Sequence, residues 1–383
     1  MAYQFTVPGK TIIGENALAL AEDSIKSFGK KALIVTGKIV TKSGLVKNLT
    51  DYLDKWDIKY EIFNDITGEP TDEMIEAGVK AYETYGCDFL IGIGGGSPLD
   101  SVKAIAAVST LKCNISDMMG KEISGKFPPM VLIPTTAGTG SETTKFTIIT
   151  DTKKDVKMLL KGDNLLPDVA VVDPEFTMTA PKSITAATGM DALTHAVESY
   201  TSRKANTLTD MYAISAIKRI FKYLPAAYED GNDKKARGEM AIAAYEAGVC
   251  INNASVTIVH GMSRPIGALF HVPHGISNAM LIKECLEFAM DGCLSKFADI
   301  ARAIEVADET TDDETAAKKF FAELEKLCNT LEIPTLEKYG IPKDEFDRVT
   351  EKMASDAMAS GSPSNTIKEV TEKDIIEIYK KLW

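Results

Sequence analysis

The chain has 383 residues, of which 45% are hydrophobic, 26% charged and 7% aromatic, a globular composition far from that of disordered chains. Its formal net charge of −12 argues against nucleic acid or an anionic membrane surface as partner, since both select basic patches. The length suits two ordinary domains.

The N-terminal MAYQFTVPGK shows no basic stretch followed by an apolar one, so no secretory signal is expected. Residues 31–37 (KALIVTG), 88–97 (DFLIGIGGGS), 128–136 (PPMVLIPTT) and 168–174 (DVAVVDP) are predicted strands. Each is a short β-branched run ending in Gly, Thr or Asp/Pro. Between them, residues 71–86 (TDEMIEAGVKAYETYG) and 99–108 (LDSVKAIAAV) carry helical patterns. Alternating strands and helices predict a parallel sheet covered on both faces, with ligands at the carboxyl ends of the strands.

Two loops in this half suit a dinucleotide. Three consecutive glycines, Gly94, Gly95 and Gly96, with Ser97, lie between a buried strand and a helix. Glycine lets the backbone approach a phosphate, and the helix start offers free N–H groups to it. The second loop, residues 134–142 (PTTAGTGSE), brings the small hydroxyls of Thr135, Thr136, Thr139 and Ser141. The glycine spacing is not GxGxxG, and a tight turn without ligand is the bland alternative for the first loop alone.

From Pro181 onward the strand pattern stops. Residues 208–224 place apolar side chains at helical spacing. Residues 240–250 (MAIAAYEAGVC) are too short for a membrane span, contain Glu246 and read as a buried helix. Residues 371–383 open with Thr371 and Asp374 in an N-cap arrangement. The second domain, residues 181–383, is therefore expected to be all-helical, packed closely around a cleft with the α/β domain of residues 1–180. The six cysteines are scattered with no CxxC pair, which fits reduced thiols in a cytoplasmic protein.

Histidine is scarce: four in the chain, three of them (His260, His271, His274) within residues 259–275 (VHGMSRPIGALFHVPHG). The fourth, His195, follows Asp191 at i+4, one turn along the same helix face. That pair alone could be a tautomer-fixing hydrogen bond. With His260 and His274 folded toward it by the intervening Pro/Gly turn, it becomes a set of three nitrogens and one carboxylate, suited to Fe(II) or Zn(II).

Taken together, GGGSPLDSVKA, PTTAGTGSE, GMDALTHAVESY, the HGM segment ending in PHGISNAM, and DIIEIYKKLW resemble the iron-dependent (group III) alcohol dehydrogenases. The resemblance spans essentially the whole chain. It implies a dinucleotide-binding α/β domain and a helical metal-binding domain, an architecture shared with dehydroquinate synthase. It implies Asp191, His195, His260 and His274 as metal ligands. As NAD(P) contacts it implies Gly94, Gly95, Gly96, Ser97, Thr135, Thr136 and Lys157, with Asp100, Lys103 and Ser141 close by. The reaction implied is reversible conversion of a small primary alcohol and NAD(P)+ to an aldehyde and NAD(P)H, in a homodimer or higher homo-oligomer.

Three positions depart from the family pattern. Gly37, followed by Lys38, stands where many relatives carry an aspartate for the adenosine ribose, which leaves NADP open beside NAD. Arg264 stands four residues after the third ligand, where relatives often have histidine; it cannot shuttle protons. His271 replaces an Asp or Asn three residues before the last ligand. Arg264 is therefore expected either to clamp an anionic substrate group or to form a structural ion pair, with His271 taking over the proton relay. The substrates expected are short anionic aldehydes such as sulfoacetaldehyde or succinic semialdehyde; neutral short alcohols, propanediol and lactaldehyde are the alternative. A dehydroquinate synthase-like lyase is disfavoured by the Asp-x3-His plus two-His pattern, and a non-catalytic NAD-binding protein by the full ligand set.

Overall fold

Alternation along residues 31–35 determines how the first half is built. Leu33 and Val35 join one hydrophobic core, while Ala32 and Ile34 join another, because successive side chains of a strand leave on opposite faces. In the computed structural model, which describes residues 2–383, this strand lies inside a sheet buried on both sides.

The strands are β1 (Lys10–Ile13), β2 (Lys31–Val35), β3 (Lys59–Phe63), β4 (Phe89–Gly94), β5 (Met130–Pro134), β6 (Phe146–Asp151), β7 (Val156–Lys161) and β8 (Val169–Val172). Six form one sheet in the order β1-β8-β5-β4-β2-β3, every pair parallel. The four strands expected from sequence are its centre. Two more flank them. β1 has only four residues, and β3 alternates apolar positions with Lys59 and Glu61; short or charged edge strands give little hydrophobic signal. The antiparallel pair β6–β7 was likewise not expected.

The longer helices here are α1 (Leu45–Lys55), α2 (Asp72–Tyr85) and α3 (Gly96–Leu111). Thr71 caps α2 by accepting from the Met74 N–H at 3.3 Å, and Gly86 ends it at φ 59°. Strand order reverses direction between β2 and β4, so the loops after these two strands lie at the switch point where α/β sheets bind ligands.

The chain divides at Ala180/Pro181, and the second unit holds the remaining long helices: α4 (Lys182–Tyr200), α5 (Thr207–Glu229), α6 (Lys234–Ala254), α7 (Ile258–Phe270), α8 (His274–Ala289), α9 (Leu294–Ala303), α10 (Asp313–Thr330), α11 (Lys343–Ala359) and α12 (Glu372–Lys380). The expected buried run lies inside α6, where Ala243, Ala247, Val249 and Cys250 are fully buried. Thr371 and Asp374 form a capping box at the start of α12. Among the described residues no single helix is long and apolar enough to cross a membrane.

Candidate metal centre and cofactor loops

Helix α4 presents Asp191 and His195 one turn apart. His260 lies in the first turn of α7, and His274 opens α8. Between those two helices the backbone reverses through His271, which adopts the left-handed conformation at φ 54°, and Pro273. The Nε2 atoms of His195, His260 and His274 each lie 3.7 Å from Oδ1 of Asp191, and one donor atom from each residue falls within 4.8 Å of all the others. Tetrahedral bonds of about 2.1 Å would set donors roughly 3.4 Å apart, so these four residues could hold a small divalent cation.

The polar surroundings point the same way. The Asn278 side-chain nitrogen donates to Asp191 Oδ1 at 2.8 Å and lies 3.1 Å from His260 Nε2 and 3.2 Å from His274 Nε2. A partial positive charge therefore sits amid converging lone pairs, while Asn278 Oδ1 and His195 Nδ1 are buried without a partner. Burial pushes the Asp191 carboxyl up, but His195, His274 and His260 outweigh it and hold the group below the usual range. Burial, with His195 and His274 nearby, drives His260 well below the ordinary imidazole value, which leaves it neutral, the form that ligates metals. Sequence reading missed Asn278 and Glu198. Asn278 was accessible from spacing, at i+4 from His274, whereas the carboxylate of Glu198 meets partners 59 to 62 residues onward on α7.

The two non-family residues behave differently. Arg264 lies one turn beyond His260, half-buried, and its Nη1 donates to Ser362 Oγ at 3.0 Å. Among the described residues no carboxylate lies within 4.0 Å of its guanidinium, so the structural ion pair is not formed. His271 is exposed and stands outside the four-residue donor group.

In the first unit the glycine loop is shaped for close approach. Gly94 has φ 156°, and a methyl there would sit 2.6 Å from Pro98 Cγ. Gly95 is the N-cap of α3, whose first turn has no side-chain cap and no acidic residue, so its N–H groups and dipole are available to an anion. Thr135 follows β5 and donates its N–H to the Gly94 carbonyl at 2.9 Å, which sets the two loops side by side. The Thr136 hydroxyl is buried with no partner and borders Gly95, while Thr139 borders Gly96. An orphaned hydroxyl at a helix N-terminus fits a phosphate or ribose oxygen.

Other expected contacts are engaged within the fold. Ser97 is half-buried and its carbonyl accepts from Ser101 at 2.8 Å. Asp100 accepts from the Ser141 hydroxyl and, at 2.9 Å, from the Ile148 N–H. Lys103, fully buried, donates to Ser141, Thr144 and the Phe146 carbonyl. Burial lowers Lys103 to about 8 and pushes Glu142 up to about 7. Lys157 is exposed on β7 and pairs with Glu69 at 2.6 Å. Gly37 packs against a neighbouring segment, where a methyl would sit 2.8 Å from the Ile66 carbonyl oxygen, and Lys38 pairs with Asp65 at 3.2 Å.

Comparison with known proteins identifies the family. Residues 8–174 match the iron-containing alcohol dehydrogenase family, and residues 185–383 match the C-terminal domain of the Fe-containing alcohol dehydrogenase family. The chain is 34% identical to the NAD-dependent methanol dehydrogenase of Bacillus methanolicus, covering 98% of each protein. It superposes on a crystal structure of 1,3-propanediol oxidoreductase with a TM-score of 0.97, at 33% identity and full coverage of both chains. A sulfoacetaldehyde reductase from Bifidobacterium kashiwanohense, solved with NAD+, has a TM-score of 0.89 at 27% identity, covering 100% of this chain and 99% of that one. The chain therefore belongs to the iron-containing alcohol dehydrogenases, and is an oxidoreductase acting on CH–OH with NAD(P) and a divalent metal.

Proposed function

We propose that the protein interconverts a short primary alcohol and its aldehyde, with preference for a substrate bearing a carboxylate or sulfonate. One observation carries the preference: Arg264 keeps a half-buried guanidinium whose hydrogen-bond partner is a neutral hydroxyl, not an acid. A desolvated cation of that kind favours an anion with paired oxygens.

Asp191, His195, His260 and His274 would hold the metal through one oxygen and three nitrogens. When bound, the metal supplies Lewis acidity toward the substrate oxygen and the nicotinamide takes or gives the hydride. Gly94, Gly95, Gly96 and the first turn of α3 receive the pyrophosphate on this reading, and Thr135 and Thr136 add hydroxyl contacts. Exposed His271 exchanges the reaction proton with solvent. The similarity to a sulfoacetaldehyde reductase supports the anionic substrate. The higher identity to a methanol dehydrogenase favours the neutral alternative. The enzyme works in the cytoplasm as a homodimer or higher homo-oligomer on this reading, the scattered cysteines suiting a reducing compartment.

The test is NADH and NADPH oxidation against neutral and anionic short aldehydes, with protein reconstituted in Fe(II), Zn(II) or Mn(II). Arg264→Ala should lower kcat/KM for the anionic aldehyde roughly tenfold to hundredfold, the range of a charge-assisted bond. A neutral aldehyde of equal length should lose far less. Equal losses for both would leave Arg264 a structural residue and remove the preference.

A further inference from the structure

Glu198 has no exposed surface, and the hydrogen bonds of its carboxylate run from α4 to the start of α7. Its Oε1 accepts from the Thr257 hydroxyl at 2.8 Å, the Val259 N–H at 2.6 Å and the His260 N–H at 3.4 Å. Its Oε2 lies 2.5 Å from His260 Nδ1. Thr257 is the N-cap of α7 and makes no side-chain cap of its own, so a carboxylate from another helix satisfies the orphan donors there.

We propose that Glu198 is a positioning residue that fixes the tautomer and orientation of His260, and so makes its Nε2 a lone-pair donor to the metal. The inference rests on reading the cluster as the metal centre. A carboxylate can only accept here, so the ring proton lies on Nδ1 and Nε2 faces Asp191 Oδ1, 3.7 Å away. The carboxylate cannot turn to offer anything else, because backbone N–H groups hold Oε1 and can never become acceptors. His195 lacks such support: its Nδ1 is buried without a partner. Outer partners of this kind typically change metal affinity tenfold to hundredfold.

Glu198→Gln separates positioning from helix capping. The amide oxygen must remain opposite the Val259 N–H, which places the amide N–H2 against His260 Nδ1. That nitrogen must then accept, so the ring proton moves to Nε2 and removes the lone pair facing Asp191. Thr257→Val, by contrast, removes the hydroxyl that donates to Oε1 without reversing the donor at Nδ1.

The experiment is long-range 1H–15N spectroscopy of metal-stripped, histidine-labelled full-length protein, where four histidines keep assignment simple, together with Zn(II) titration. The wild type should carry the His260 proton on Nδ1. Glu198→Gln should move it to Nε2 and weaken Zn(II) binding roughly tenfold to hundredfold, while Thr257→Val leaves the tautomer in place. A wild-type His260 protonated on Nε2 overturns the proposal, even if Glu198→Gln fails to fold. So does a folded Glu198→Gln protein with unchanged tautomer and Zn(II) affinity. Failure of the wild type to bind Zn(II) at the four donors would instead overturn the metal reading, and the spectrum would still decide the role of Glu198.

Discussion

Replacing Lys103 with methionine removes a charge while keeping most of the side-chain volume. The Lys103 ammonium donates at 3.1 Å to Ser141 Oγ, 3.0 Å to Thr144 Oγ1 and 2.7 Å to the Phe146 carbonyl, and lies 3.7 Å from Asp100 Oδ1. These bonds tie the helix after the glycine loop to the segment that follows the threonine loop. Without the ammonium, Asp100 keeps a buried carboxylate that burial already pushes above its usual range. Breaking a buried pair on one side costs about 3–5 kcal/mol, most of it the uncompensated charge. In a unit the size of residues 1–180, each kcal/mol lowers Tm by about 2–4 °C, which gives a fall of roughly 6–20 °C. Scanning calorimetry at pH 7 measures it, with KM for NADH rising as the threonine loop loosens. The double variant Lys103→Met/Asp100→Asn should recover part of the loss, because it removes the stranded charge. A single-variant Tm within about 2 °C of wild type, a shift worth about 1 kcal/mol or less, would refute this account. A double variant no better than the single would refute it too.

Glu142 gives a pH dependence of opposite origin. Burial raises its carboxyl from 4.5 to about 7, so the folded state holds a proton that the unfolded chain has released. The associated stability is fully present below about pH 4.5 and is lost as pH rises through about 7. Glu142→Gln should flatten that decline in urea midpoints measured at about pH 5 and 7.5; parallel wild-type and variant curves would show that Glu142 ionises normally. Gly37→Asp, which introduces the carboxylate many relatives carry, should raise the NADH-to-NADPH preference only at a cost in stability. Its Cβ would sit 2.8 Å from the Ile66 carbonyl oxygen, and overpacking against backbone costs about 1–3 kcal/mol. An unchanged Tm would mean that the segment at Ile66 yields freely.

The sequence made legible whatever repeats a simple period or concentrates a rare residue type. The central strands announced themselves because they are apolar on both faces, as a doubly covered parallel sheet requires. The four metal-donor candidates stood out because histidine is scarce. Partners joined across long separations stayed hidden. Asp191 and His195 share a helix, but Glu198 gains meaning only when α7 is laid against α4, 59 to 62 residues onward. Lys103 reads as a residue lining the cofactor cleft, and only the contacts from Ser141, Thr144 and Phe146 show that it is fully buried within the fold. Arg264 was read as either a clamp or an ion pair, and the neutral hydroxyl it meets, 98 residues away, could not be inferred from local pattern.

Helix α7 also bears on the order in which the molecule assembles. Pro265 interrupts it and deprives the Gly261 carbonyl of its helical donor. Gly261 lets Pro363 approach so closely that a methyl would sit 2.7 Å from its Cδ. The buried Tyr379 hydroxyl donates to the Met262 carbonyl at 2.7 Å across 117 residues. A helix braced in this way gains its packing only after long loops have closed, and such closures are slow and entropically costly. Asp191 and His195 are set in register by α4 alone, whereas the segment carrying His260 is braced by Pro363 and Tyr379, about a hundred residues downstream. The donor set thus depends on chain far outside it, and loss of the final helix would loosen the segment that carries His260.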